Sequence, residues 1–283
     1  MPTTHPITLA ACAAMIAGAA VSPTADAGIL FADSFRYANG NLSGNSGGTG
    51  WSGAWAGGTG AGGNQVTSAL VPGDATARSI RISSNASTTT RSLSTTYTTG
   101  GGSYYVSFVF NASPYSAPNN GDYAGVSLYL SSDRVNPNPP TSGNSLFLGM
   151  PGSSGKLGFD WTNRGDGLYT AASATNYLVL CAITPDANST TTVSMYATTN
   201  LAMSGSALAG STAFATLTDS NFSFDAVEVA GGYDSGTINF AGLAMADNPN
   251  DAVTFTQNAV PGPGGAALAV ILGAMGTGGR RRR

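Results

Sequence analysis

Apolar and alternating runs of strand length recur through the middle of the chain, each broken by turn residues. They cover residues 29–35, 65–71, 79–83, 89–93, 104–110, 123–130, 145–150, 156–161, 177–183, 191–196, 222–229 and 237–245. Val, Ile, Tyr, Phe and Thr dominate them, and these residue types fit a pleated, half-buried surface. In 104–110, Val106, Phe108 and Phe110 alternate with Tyr105, Ser107 and Val109, so one face is the more strongly apolar. Pro151-Gly152-Ser153-Ser154-Gly155 separates two runs, and Pro185-Asp186-Ala187-Asn188 reads as a hairpin turn between two others. Helical periodicity is absent over any long stretch, and only the loop 200–216 has room for a short helix. A dozen short antiparallel strands bury a face only if the sheet closes or doubles. The pattern therefore predicts an all-β chain folded as a two-sheet antiparallel sandwich, with one domain over 28–257.

The ends follow a different pattern. Residues 7–21 form a mostly apolar stretch, and Ala25-Asp26-Ala27 offers small residues where a signal peptidase reads. Residues 1–27 are expected to be a signal peptide cut after Ala27, although no Lys or Arg precedes the apolar run. The C-terminal segment 258–283 contains Val260-Pro261-Gly262-Pro263, then an apolar run to about residue 277, then Arg280, Arg281, Arg282 and Arg283. The run is shorter than the roughly 20 residues of a spanning helix. The arginines favour the cytoplasmic face of a membrane. Both end segments are expected to be helical and removable.

Composition sharpens the functional reading. Charged residues are 9% and hydrophobic residues 42%, so the chain has the means to fold. Without the two ends it keeps seven basic and thirteen acidic residues, and no basic patch suggests nucleic acid as a partner. His5 is the one histidine, and it lies in the leader. A body without histidine cannot hold a Ser-His-Asp or Cys-His unit. Cys12 also lies in the leader, which leaves Cys181 alone in an apolar run as a buried, inert thiol. Glu228 is the single glutamate. Asp225 and Glu228 are three apart, which on a regular strand puts them on opposite faces, and Glu228 reads as a surface residue of an edge strand.

Several residues could still serve a site. Trp51 and Trp55 lie in a Gly-rich loop over 39–64, and Trp161 ends a run. Exposed rings stack on sugar faces, and Asn64 or Asp166 could bond hydroxyls nearby. The competing reading folds the tryptophans inward to close the sandwich end. Arg164-Gly165-Asp166 spells an adhesion tripeptide but reads as a turn. No other cofactor is implied, and calcium is admitted only through loop aspartates, with Asp122 and Asp160 the leading candidates.

Two resemblances add to this. The end segment resembles the PEP-CTERM sorting signal of exported bacterial proteins, with Gly262 in place of the usual Glu. The resemblance implies a membrane-embedded exosortase that cuts near Pro261 and Pro263 and passes the body to the cell surface or extracellular matrix. Its partners would be export machinery, signal peptidase and that sorting protease. Phe31 to Gly40 and Asn45 to Trp55 resemble the opening of LamG-like, concanavalin A-like jelly rolls, and 177–184 and 224–229 resemble two of their later strands. That resemblance implies a lectin-like sandwich, often in contact with extracellular polysaccharide. Laminarinase-type enzymes of that fold need a Glu-x-Asp-x-x-Glu strand, which one glutamate cannot supply. The expected function is a non-enzymatic surface or matrix protein. A carbohydrate-binding module using the loop tryptophans is the alternative, and a polysaccharide hydrolase ranks last.

Overall fold

Strand after strand in this chain pairs antiparallel with its neighbours, and the strands sort into two sheets. The computed structural model describes residues 28–58, 63–68, 70, 78–82, 87–113, 123–133, 145–151, 156–161, 164–169, 175–232 and 237–260. In chain order the strands are β1 (Ile29–Asp33), β2 (Gly40–Asn41), β3 (Gln65–Ser68), β4 (Arg78–Ile82), β5 (Ser87–Thr98), β6 (Tyr104–Ser113), β7 (Tyr123–Tyr129) and β8 (Ser145–Met150). They continue as β9 (Leu157–Trp161), β10 (Arg164–Tyr169), β11 (Asn176–Pro185), β12 (Thr190–Thr198), β13 (Ala215–Ser220), β14 (Ser223–Gly232) and β15 (Thr237–Ala246). Two helices join them, α1 (Gly205–Ala209) and α2 (Pro249–Ala259).

The larger sheet runs β13-β12-β11-β6-β15-β4-β3-β2, with β1 paired to β15, and the smaller runs β10-β9-β8-β7-β14-β5. The all-β, two-sheet antiparallel class expected from the pattern is what forms. Between the sheets lies one apolar core. Val106, Phe108 and Phe110 of β6 enter it with Val179, Cys181 and Ile183 of β11, Leu146 and Leu148 of β8, and Phe240 of β15. Phe108 and Phe240 bring their ring centroids to 4.6 Å. Burying each such side chain stabilises by roughly 1.5–3 kcal/mol.

A second apolar cluster explains why 177–183 is apolar at every position. Leu178 and Leu180 point away from the main core and pack under Leu208 of α1 and Val253 and Ala259 of α2. Strand β11 is thus covered on both faces. Helix α2 has a readable start: the Asn248 side chain accepts the Asp251 N–H, and Pro249 opens the first turn. It was not expected from the sequence, because its eleven residues carry few large apolar side chains. The helix ends at Ala259, and Val260 is buried against the same cluster, so the folded body extends past the expected limit at 257. Residues 1–27 and 261–283 lie outside the described residues, with Ala25, Ala27, Pro261, Pro263 and the four arginines of the tail. No helix among the described residues is long and apolar enough to cross a membrane.

Candidate functional site

The Gly-rich loop closes one end of the sandwich, and a buried carboxylate organises it. Asp33, at the end of β1, is 1% exposed. One of its oxygens accepts the Phe35 N–H at 2.7 Å, turning the chain at a residue with φ of 54°. The other accepts the Tyr37 hydroxyl at 2.6 Å, the Trp55 Nε1–H at 2.9 Å and Arg91 Nη1 at 3.0 Å. Arg91 comes inward from β5 and also donates from Nε to the Gly53 carbonyl at 2.6 Å. Its guanidinium sits 4.7 Å from the Trp51 ring centroid and 5.8 Å from that of Trp55. Trp51 donates its Nε1–H to the Ala32 carbonyl at 2.9 Å. Burial pushes the Asp33 carboxyl above the usual range, and Tyr37, Trp55, Phe35 and Arg91 each pull it back down.

The expected sugar-contact residues are therefore not gathered at a surface. Trp55 and Trp161 are each 1% exposed and Asn64 is fully enclosed. Trp161 packs on Phe222 in the main core, 5.4 Å between ring centroids. Asn64 uses its amide on the Val229 carbonyl and the Thr89 hydroxyl. Trp51 is half-buried, with its ring already taken by Arg91, Phe31 and Trp55. Trp55, Asn64 and Trp161 are committed to the interior, because burying an aromatic body stabilises more than exposing it. Asp166 lies on β10 opposite Phe159, and its side chain is outside the described residues. The Arg164-Gly165-Asp166 tripeptide is part of that strand, not a turn. Asp122 also lies outside the described residues. Among the described residues no three His, Cys, Asp or Glu side chains come close enough to share an ion.

A different group of polar side chains meets on the outer face of the smaller sheet. Ala124, Val126 and Leu128 of β7 face the core, as do Leu146 and Leu148 of β8 and Phe159 of β9. Their alternates face out. The register puts Glu228 of β14 opposite Ser127 of β7, Ser127 opposite Phe147 of β8, and Phe147 opposite Asp160 of β9. Tyr129 and Ser145 form the neighbouring pair on one side. Glu228 is 2% exposed on an interior strand between β5 and β7, not on an edge. A bulge between Phe224 and Ala226 changes the face parity that a regular strand would give Asp225 and Glu228. Asp225 is used locally, accepting the Ser131 N–H and hydroxyl at 2.7 and 2.8 Å.

Two oxygens in this row stand out. Ser127 Oγ and Asp160 Oδ1 are buried without a hydrogen-bond partner. An unmet buried polar atom costs about 1–3 kcal/mol. Burial pushes the Asp160 carboxyl above the usual range. Tyr123, near the row, is pushed up to about 12 by burial and then by the Glu228 charge. Cys181 is fully enclosed, and burial pushes its thiol far up, as befits an inert core residue. Sequence reasoning missed Ser127 altogether, and weighed Asp160 only as a metal ligand. Period-two alternation in 123–130 was the signal for Ser127, masked by the small residues around it.

The raised Asp160 gives a stability prediction. Its folded form holds a proton more tightly than its unfolded form, so its favourable contribution is complete below about pH 4 and fades as pH rises through the folded value. Asp160→Asn mimics the protonated state. The variant is expected to melt above the parent at pH 7 and level with it near pH 3.5. Thermal melts across that range check this, and a parent that gains on the variant as pH rises contradicts it.

No protein-family model matches the chain, and no curated relative matches it. Solved structures with a similar chain path include the globular domain of T. cruzi calreticulin, at 11% identity and a TM-score of 0.47 over 78% of this chain and 95% of that one. A peanut lectin in complex with a nine-residue peptide matches at 10% identity and a TM-score of 0.41, over 72% and 94%. The Emp47p carbohydrate recognition domain matches at 10% and 0.39, over 77% and 97%. Likenesses of this size carry nothing of what those proteins bind or do to this chain.

Proposed function

We propose that this chain is an exported, non-enzymatic protein of the cell surface or matrix that holds polysaccharide on the outer face of its smaller sheet. The signal-like leader and the arginine-ended tail support export and sorting. The observation that carries the binding reading is Asp160, a partly exposed carboxylate whose Oδ1 is without a hydrogen-bond partner. Sugar hydroxyls supply donors for such an oxygen. Ser127, Phe147 and Glu228, further along the row, are buried and position Asp160.

The same row argues against turnover. Glu228 and Asp160 are separated by two intervening strands, which at about 4.8 Å per step is about 14 Å. Hydrolysis of a glycoside needs two carboxyls about 5–9.5 Å apart. The loop tryptophans of the alternative reading are held by Asp33 and Arg91.

The test is a glycan array and a reducing-sugar assay on the same protein. Binding to at least one polysaccharide is expected, weakened about tenfold or more in Asp160→Ala, the effect of losing a hydrogen bond to a charged group. An array with no binding overturns the polysaccharide reading. Sugar release that disappears in Glu228→Gln or Asp160→Asn overturns the non-enzymatic one.

A further inference from the structure

The start of β1 meets the start of α2 at two carboxylates. The Asp247 N–H donates to the Gly28 carbonyl at 3.1 Å, which fixes Gly28 against the end of β15. The Asn248 amide donates to Asp247 Oδ1 at 3.1 Å and to Asp251 Oδ2 at 2.5 Å, and so draws both carboxylates to one place. That place is beside Gly28. A Cβ on Gly28 would lie 2.2 Å from Asp251 Oδ2 and 2.9 Å from Asp247 Oδ1. A Cβ is about 2.5 Å from its own backbone nitrogen, so the Gly28 nitrogen lies at most about 4.7 Å from Asp251 Oδ2 and about 5.4 Å from Asp247 Oδ1. A side chain there would push the Asp251 carboxylate aside. Arg91 pairs with Asp33 at the other end of β1, and among the described residues no basic side chain pairs with Asp247 or Asp251.

We propose that cleavage after Ala27 converts the Gly28 nitrogen into an ammonium that pairs with Asp247 and Asp251, so that removal of the leader completes the folded body. The inference rests on the expected cleavage position and is independent of what the smaller sheet binds. Cleavage hydrolyses the Ala27–Gly28 peptide bond. Water supplies the hydroxyl of the departing Ala27 carboxyl and a proton to the new amine, which takes a second proton from solvent. The positive end of α2 favours the carboxylates and opposes the ammonium, but its half charge is outweighed by two full negative charges. With the leader attached, the same nitrogen is a neutral amide, and the carboxylates repel each other across the Asn248 amide.

The experiment compares three forms of the chain from Gly28 onward: a free Gly28 amine, an acetylated Gly28, and Ala27 retained ahead of Gly28. The free amine is expected to melt about 2–4 °C above the other two at low salt, the shift of roughly one partly shielded ion pair in a body of this size. The gap should shrink in high salt. It should also vanish in the Asp247→Asn, Asp251→Asn double variant, and narrow in Gly28→Ala, which keeps the amine but displaces Asp251. Equal melting temperatures for the three forms overturn the ion pair. A native N-terminus other than Gly28, read by mass spectrometry of the exported protein, overturns the cleavage position, and with it the link to processing.

Discussion

Arg91→Ala is expected to destabilise the folded body by roughly 3–5 kcal/mol, a fall of about 10 °C in melting temperature. Arg91 is 4% exposed and serves three partners at once: the Asp33 carboxylate, the Gly53 carbonyl and the Trp51 ring. Removing it leaves a carboxylate buried without a counter-charge and frees the loop that carries both tryptophans. The loss should be smallest near pH 4 and grow toward neutrality, because burial already raises Asp33 and a protonated Asp33 needs no cation. Paired replacement by Asp33→Leu and Arg91→Met is expected to cost less than Arg91→Ala alone, since no lone charge then remains inside. Urea unfolding followed by tryptophan fluorescence reads both effects. A loss under about 1 kcal/mol, the range of an exposed pair, would mean that the pair contributes no more than a surface contact.

Gly50→Ala is the second large effect, expected at roughly 2–5 kcal/mol. Gly50 has φ of +77°, where an alanine costs roughly 1–2 kcal/mol. A Cβ there would also lie 2.1 Å from the Leu30 carbonyl oxygen and 2.7 Å from Phe31 Cα, both backbone atoms of β1. Backbone cannot rotate aside, so the loop or β1 must move, which adds roughly 1–3 kcal/mol. Movement here breaks the bridge between Ala32 and Thr49 and uncovers Trp51. Gly53→Ala is the control, because nothing lies near a Cβ at that position. Matching losses in the two variants would show that loop entropy, not the close approach, sets the stability.

Much of the sandwich was legible because period-two alternation is a local signal. Strands β6, β8 and β11 fall where the apolar runs place them, and α1 falls in the loop that had room for it. Helix α2 is hidden although Asn248, Pro249 and Asp251 spell its first turn, because its eleven residues carry too few large apolar side chains to show a helical period. The candidate site was hardly legible at all. Ser127 and Asp160 come together through register across three strands, and register is a property of pairs of segments, not of one. The bulge that sets the face of Glu228 has no residue signature in 223–232. The tryptophans were visible, but their orientation depends on Asp33 and Arg91, which are 58 residues apart in the chain.

The pairing of β1 with β15 bears on timing. Ile29 lies opposite Ala246, so the first strand of the body waits for more than two hundred further residues before its partner exists. β4 and one side of β6 wait for the same strand, and β5 waits for β14. A chain delivered N-terminus first, from a ribosome or through a translocation channel, can therefore pair β7 through β10 and join β11 and β12 to β6 early, but cannot attach β1, β4 or β5 until the last strands arrive. Such long-range closure is slow compared with helical folding. Until residue 246 has emerged, β1 and β4 have no central strand to join and one side of β6 stays open, and keeping that edge from other chains in that interval is a task for whatever accompanies the polypeptide.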